Sequence, residues 1–314
     1  MQLALGSGMI ALPGERQSHH QATPTGGGLG IVFSIVLTSF CLQLFSPLPV
    51  FWWQNMLPGL ILLSLVGWLD DKHAVSSLIR LLVQLAVSFW LLGFGWSEFS
   101  LAGLSLFAGT ALAMVWMMNM YNFMDGSNGM AGFQGVFAGL VLAVLFQNGG
   151  QSEMAILALV VAAACAGFLP LNFPNARVFM GDVASVPLGF IFAAFMFYGI
   201  RTGSLGLVSS SLVMSLFIVD ATLTLFKRAI RGERWYTAHA QHVYQRLIAQ
   251  GWSHGGVLLL YQTINVIWVL PVLILAEKYQ TYAVLMAGGS FLVLSACWYT
   301  MNRRLGMIAM KQVK

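Results

Sequence analysis

Charge is what this 314-residue chain lacks. Only 8% of its residues are Asp, Glu, Lys or Arg, against about 25% in soluble domains. Hydrophobic residues make up 58% and the mean hydropathy is +0.80, which excludes a soluble globular enzyme. Long polar stretches are missing too: the two longest, 11–28 and 227–254, are loop-sized, so residues 1–314 read as one multi-span domain. Cysteine is scarce. Cys41, Cys165 and Cys297 lie far apart inside apolar runs without a CxxC pair, which excludes a disulfide framework or zinc knuckle and leaves small core residues. The apolar–polar alternation of a membrane β-barrel is absent. MQLALGSGMIAL at the start is uncharged and too short to span, so it makes no convincing signal peptide or transmembrane helix.

What is there is a series of apolar runs near the 20 residues that cross a bilayer as a helix. They fall at 29–45, 51–69, 77–95, 103–121, 129–147, 153–170, 185–200, 205–226, 255–276 and 280–300. The expected fold is all-α: a polytopic integral membrane protein of about ten transmembrane helices. Threading the ten alternately through a membrane puts thirteen of the fifteen Lys and Arg on one side, which the positive-inside rule makes cytoplasmic. All six histidines and Asp70, Asp71, Asp125 and Asp182 fall on that same side, and the rule for Lys and Arg does not explain them. Asp70, Asp71 and Asp125 end apolar runs at C-termini, where the helix dipole disfavours negative charge by several tenths of a kcal/mol each. A divalent cation reverses that penalty, and carboxylates with water and phosphate oxygens suit Mg²⁺.

Four stretches carry chemistry. In NMYNFMDGSNGMAG (119–132), Asn119 and Asn122 share a helix face before Asp125. A glycine-capped helix end is the plain alternative, and an EF-hand fails because the twelfth position is Val136 rather than Glu. In FLPLNFPNARVFMGDVASVPLG (168–189), Asn172, Phe179 and Asp182 stand in one loop with Arg177, a set suited to a base and a phosphate. WYTAHAQHVYQRL (235–247), read as a helix, places His239, His242 and Arg246 on one amphipathic face. They could neutralise a diphosphate or simply hold lipid headgroups; a bare HxxH is weak for metal. GERQSHHQATPTGGGLG (14–30) has no preceding strand and no GxGxxG, which excludes a dinucleotide fold and leaves a weak phosphate-cradle reading. Asp220 lies within an apolar run, costs about 2.5 to 3.5 kcal/mol there if unpaired, and is expected to be structural, paired with a Thr or Lys.

Taken together, GERQSHHQATPTGGG, DDKHAVSSLIRLLVQ, NMYNFMDGSNGMAG, NFPNARVFMGDVAS and HAQHVYQRL resemble the polyprenyl-phosphate N-acetylhexosamine-1-phosphate transferases, glycosyltransferase family 4. The HAQHVYQRL form is nearest to members that initiate O-antigen. The resemblance implies transfer of a sugar-1-phosphate from a UDP-N-acetyl sugar to undecaprenyl phosphate, releasing UMP, at the cytoplasmic face of a bacterial inner membrane. The phospho-N-acetylmuramoyl-pentapeptide transferase reaction is the alternative. It implies Asp182 and Asp125 as ligands for Mg²⁺, with Mn²⁺ an alternative. Asp70, Asp71, Asp125, His239 and His242 would be catalytic, with the choice of base between Asp70 and Asp71 open. Asn122, Asn128, Asn172, Phe179, Arg80 and Arg246 would bind substrate. The partners implied are the two substrates and the lipid bilayer, with no nucleic acid; a homodimer is left open.

Asn128 replaces an Asp of the peptidoglycan-type members, Ala184 a Gly, and Thr25 an Arg of many relatives. Relatives carry one more helix before the SHH loop, so the ten spans are expected to be the last ten of eleven. A transporter would place its ionisable residues near the midplane, often in inverted repeats, which is not the pattern. A binding scaffold would explain the basic loop but not the four Asp.

Overall fold

A computed structural model describes residues 10–11, 23–93, 96, 100–234 and 239–312, with backbone alone at 10, 11 and 308–312. Arg16, His19 and His20 lie outside the described residues, as does 235–238 of the basic loop. An apolar run in lipid must satisfy every backbone polar group internally, and the described chain is accordingly helical. The helices are α1 (Leu29–Gln43), α2 (Leu57–His73), α3 (Ser77–Gly93), α4 (Leu101–Phe123), α5 (Met130–Asn148), α6 (Ser152–Asn172) and α7 (Asp182–Thr202). They continue with α8 (Leu207–Val213), α9 (Ser215–Ile230), α10 (Val243–Ala249), α11 (His254–Ile264), α12 (Leu270–Lys278) and α13 (Ala283–Gln312). One two-residue antiparallel pairing joins Ile10–Ala11 to Thr23–Pro24.

Each of the ten expected runs coincides with helix, and six or seven of them are long and apolar enough to cross a membrane. The six among the described residues are α4, α5, α6, α7, His254–Lys278 and Gln280–Met307. The α8–α9 pair makes a seventh if its 75° bend is counted as one broken span. Length sets the others apart. α1 has 15 residues and α2 and α3 have 17 each, giving about 22 to 26 Å at 1.5 Å per residue, short of a hydrocarbon core of about 30 Å. The bend between α8 and α9 is stabilised from a distance: Gln134 Nε2 of α5 donates to the Val213 carbonyl at 3.0 Å, and Asn265 Nδ2 donates to Gln134 Oε1 at 2.8 Å.

Small residues let the helices approach closely, as expected where lipid supplies no hydrophobic drive between them. A Cβ at Gly139 of α5 would lie 2.8 Å from the Ala158 carbonyl oxygen of α6. α7 is the hub, buried along most of its length and packed on α2, α4 and α5. A Cβ at Gly189 would lie 2.7 Å from Met118 Cα of α4, and one at Gly67 of α2 would strike the backbone of Asp182. The start of α7 is thereby wedged between the ends of α2 and α4. Gly67→Ala should lower stability in detergent by about 1–3 kcal/mol through overpacking. Gly109→Ala, which meets open space, should be neutral or stabilising by up to about 1 kcal/mol. Melting curves of the two variants check this, and equal losses would contradict the packing role of Gly67.

Candidate active site

The site is built around the first turn of α7. Gly181 holds φ 76° and ψ 169°, a region essentially restricted to glycine, and a Cβ there would collide with the Asp71 carboxylate. That carboxylate caps α7 from across the fold. Its Oδ1 accepts from the Asp182 N–H at 3.0 Å and its Oδ2 from the Val183 N–H at 3.2 Å. A carboxylate at a helix N-terminus satisfies orphan donors and meets the favourable end of the dipole. Asp182 then opens the helix with both oxygens engaged. Oδ1 accepts from Asn122 Nδ2 at 2.7 Å and Oδ2 from Arg80 Nη1 at 3.1 Å. The same Arg80 nitrogen holds Asp70 Oδ2 at 2.6 Å, and Asn122 Nδ2 also donates to Ser185 Oγ at 2.8 Å. Four helices therefore contribute to one charged knot: α2 gives Asp70 and Asp71, α3 Arg80, α4 Asn122 and α7 Asp182.

Asp125 is different. It lies half-buried in the turn after α4, and it makes no side-chain hydrogen bond or ion pair among the described residues. Burial first, then the nearby Asp182 and Asp71, push its carboxyl well above the usual range. Burial likewise raises Asp71 to about 6 against its two backbone hydrogen bonds, with Asp70 adding to the rise. The dipole penalty expected for Asp70 and Asp71 is therefore already met by Arg80 and by α7; Asp125 is the acid left uncompensated. Among the described residues no three His, Cys, Asp or Glu side chains converge to hold a metal. The donor set nonetheless suits Mg²⁺, which commonly takes one or two carboxylates and fills its octahedron with water and phosphate oxygens.

The histidine loop joins this centre through Asp220. That buried carboxylate accepts from the Val243 N–H at 3.0 Å, Tyr261 Oη at 2.7 Å, Trp298 Nε1 at 3.1 Å and Thr224 Oγ1 at 3.2 Å. It also stands 3.7 Å from His242 Nδ1. The expected Thr partner is present, and the role is to organise the loop. Tyr244 Oη donates to the Phe123 carbonyl at 2.8 Å and fills the space that a side chain at Gly126 would need, which ties the loop to the Asp125 turn. The His239 and His242 rings lie 5.0 Å apart, and neither buried Nδ1 has a hydrogen-bond partner. Burial, with His242 and Arg228 adding to it, pushes His239 down to about 4, so it is a neutral imidazole at neutral pH.

Several expected residues are placed elsewhere. The helical face through His239, His242 and Arg246 does not form, because α10 starts at Val243, where Asp220 takes the first N–H; Arg246 points to Asn302 of α13 instead. Asn172 and Asp182 are helix ends rather than loop residues. Asn172 is buried and acts as a strut, accepting from the Gly129 N–H at 2.7 Å and donating to the Val178 carbonyl at 3.0 Å. Asn128 Nδ2 donates to the Pro174 carbonyl at 3.0 Å. Asn119 turns to Gln84 of α3, away from Asn122. The glycines do not cradle phosphate: the Gly27 and Gly28 N–H groups donate to the carbonyls of Phe179 and Met180, and that pairing sets the position of Phe179. Ser185, Tyr244 and His254 escaped notice because nothing local marks them. His254 Nδ1 lies 2.9 Å from Ser127 Oγ, a contact between residues 127 positions apart.

Fold and site together define a multi-pass membrane protein with a buried acid–arginine centre at one end of its helices. Residues 53–200 match the family model of glycosyl transferase family 4. The chain is 26% identical over 287 residues to the probable undecaprenyl-phosphate N-acetylglucosaminyl 1-phosphate transferase of Bacillus subtilis, covering 87% of this chain and 79% of that one. It is 29% identical to a decaprenyl-phosphate N-acetylglucosaminephosphotransferase of Mycolicibacterium smegmatis, covering 84% and 75%. A phospho-N-acetylmuramoyl-pentapeptide-transferase of Staphylococcus saprophyticus is 27% identical, covering 80% and 85%.

Capping by Asp71 predicts that Asp71→Ala lowers stability by about 1–2 kcal/mol, while Asp71→Asn, which keeps an acceptor, loses less. Because the folded carboxyl titrates near 6 against an ordinary 3.8, the folded state holds the extra proton. Its contribution is fully present below about pH 3.8 and is lost as pH rises through about 6. Thermal melts from pH 4.5 to 7.5 should therefore fall more steeply with pH in the wild type than in Asp71→Asn; parallel curves would refute the assignment.

Proposed function

We propose that the protein transfers N-acetylhexosamine-1-phosphate from a UDP-sugar to undecaprenyl phosphate at the cytoplasmic face of the bacterial inner membrane, starting a cell-envelope polysaccharide. One observation carries this reading: Asp182, held by Arg80 and Asn122, lies beside the uncompensated Asp125, with the His239–His242 loop tied to the same turn. The names of the Bacillus and Mycolicibacterium relatives make N-acetylglucosamine the sugar to try first, with O-antigen-type products as the finer expectation. All ten apolar runs, the short ones included, are taken as crossing or entering the membrane. A homodimer is compatible with this reading and not required by it.

In the reaction, an oxygen of the lipid phosphate bonds to the β-phosphorus of the UDP-sugar. The bond from that phosphorus to the bridging oxygen breaks, and UMP leaves with the bond's electron pair. A phosphate monoester is largely dianionic at neutral pH, so the step needs neutralised charge more than a strong base. Asp182 and Asp125 would hold Mg²⁺ or Mn²⁺, which would supply that neutralisation. Arg80 fixes the Asp182 carboxylate and adds positive charge, and Asn122 orients it. Asp71 aligns the first turn of α7, and Asp70 holds Arg80 in place. His239 and His242 present imidazole nitrogens to the diphosphate as hydrogen-bonding groups. Phe179, Asn128 and Asn172 shape the nucleotide side, with Asn172 acting through the backbone it braces.

Purified protein given undecaprenyl phosphate, Mg²⁺ and a panel of UDP-sugars should release UMP with UDP-N-acetylglucosamine. No UMP from any sugar, with folding confirmed, would sink the reading; release from the UDP-muramoyl-pentapeptide alone would move the enzyme to the peptidoglycan branch. Asp182→Asn and Asp125→Asn should each cut turnover by about 100-fold or more. Asp125→Asn should also melt no lower than the wild type, because it removes a repelled carboxyl. Mg²⁺ binding by calorimetry should tighten as pH rises from 5.5 to 7.5, since the cation binds the ionised carboxyls of Asp182 and Asp125, and burial makes both harder to ionise. If Asp70 positions Arg80 rather than taking a proton, Asp70→Asn should lower kcat without removing a limb of the pH profile; a lost acidic limb would make Asp70 the base.

A further inference from the structure

On the far side of the Asp220 cluster lies a groove of about 1150 Å³ between α9, α10 and α13. Its chemistry is opposite to that of the acidic centre. Lys227, Arg231, Arg246 and Arg303 line it, and no Asp or Glu among the described residues does. Two of these cations converge on one neutral atom: Asn302 Oδ1 accepts from Lys227 Nζ at 2.6 Å and from an Arg246 guanidinium nitrogen. Asn302 is buried, and its Nδ2 has no partner. Burial first, then the neighbouring Arg231, holds Arg246 below its ordinary value; the nearest acid, Glu233, reaches the groove through Gln241 and is held by Arg228. The remaining wall is apolar and membrane-facing: Phe226 and Ile230 of α9 are largely exposed.

Basic side chains at a membrane surface ordinarily spread towards separate headgroups. Here a buried amide fixes two of them together, with a spare N–H beside them and apolar side chains leading away. A phosphate carried on acyl chains meets each of these features, whereas a free phosphate leaves the apolar wall uncovered. The groove is also walled off from the acidic centre: Trp298 lines it and donates through Nε1 to Asp220 Oδ1, behind which His242 sits.

We infer that the groove between α9, α10 and α13 is a binding site for an anionic membrane glycerophospholipid, separate from the site that takes the reacting lipid phosphate. The inference does not rest on the transfer reaction, and its readout is lipid retention rather than UMP release. Full-length protein exchanged into mixed micelles of phosphatidylglycerol and phosphatidylcholine with the same acyl chains is followed by native mass spectrometry. The wild type should retain phosphatidylglycerol preferentially, as one tightly held adduct. Arg231→Gln combined with Arg303→Gln, both exposed positions, should weaken that retention about tenfold or more, because two charges near the headgroup are lost; an unchanged melting temperature confirms folding. Undecaprenyl phosphate and inorganic phosphate should leave the adduct in place. Equal retention of the two lipids by the wild type overturns the inference without recourse to any variant. Undiminished retention by the folded double variant overturns it as well. Displacement by undecaprenyl phosphate would give the groove to the acceptor lipid, and displacement by inorganic phosphate would make it a simple anion site; either result overturns it.

Discussion

The structure of the site depends on the grip of Asp71 on the first turn of α7. Two backbone N–H groups that an isolated helix would leave orphaned are satisfied by a carboxylate from a segment 111 positions away. Asp182 is the next side chain along, so whatever fixes that turn fixes the central acid. The grip also explains why glycine occupies both Gly67 and Gly181. One lets α2 reach the Asp182 backbone and the other leaves room for the Asp71 oxygens. A larger residue at either place would separate the capping group from the helix it caps.

The grip concentrates negative charge. Asp70, Asp71, Asp125 and Asp182 face a single guanidinium, that of Arg80, which serves two of them. Two backbone donors offset Asp71, and Arg80 and Asn122 offset Asp182. Nothing among the described residues offsets Asp125, and burial with the neighbouring acids pushes its carboxyl well above the usual range. A protein selected only for stability would have placed an amide there. An uncompensated acid beside an oriented one is the electrostatic feature on which the proposed binding of a cation and a polyanionic substrate rests.

The helices were legible in the sequence because lipid permits little else, and their order followed from the apolar runs. Their lengths were not, since α1, α2 and α3 look like spans by hydropathy and fall short only when measured. The sharp bend after Val213 could not be read either. No proline or glycine marks Val213, Met214 or Ser215; the freed carbonyl is answered by Gln134, far away in sequence. Alternate threading through the membrane was enough to gather the four acids on one face. It could not say which group each acid meets, because Arg80, Asn122 and the α7 backbone come from three other helices. The misplaced histidine face has the same origin. A 3.6-residue period was extended back through His239, but Asp220 takes the Val243 N–H and starts the helix four residues later.

Neutral amides recur where charges must be held in place without being cancelled. Asn122 orients Asp182 while leaving its charge intact, and Asn302 gathers Lys227 and Arg246 while leaving both positive. A carboxylate at position 302 would neutralise the groove, and a lysine at 122 would neutralise the acid. Between the two lies Asp220, buried and supplied with four hydrogen-bond donors, facing the histidine loop on one side and the groove wall on the other. Opposite charges this close would otherwise pair with each other and extinguish both sites. The Asp220 cluster stands between them, so that an acidic centre and a basic groove persist in one helical bundle.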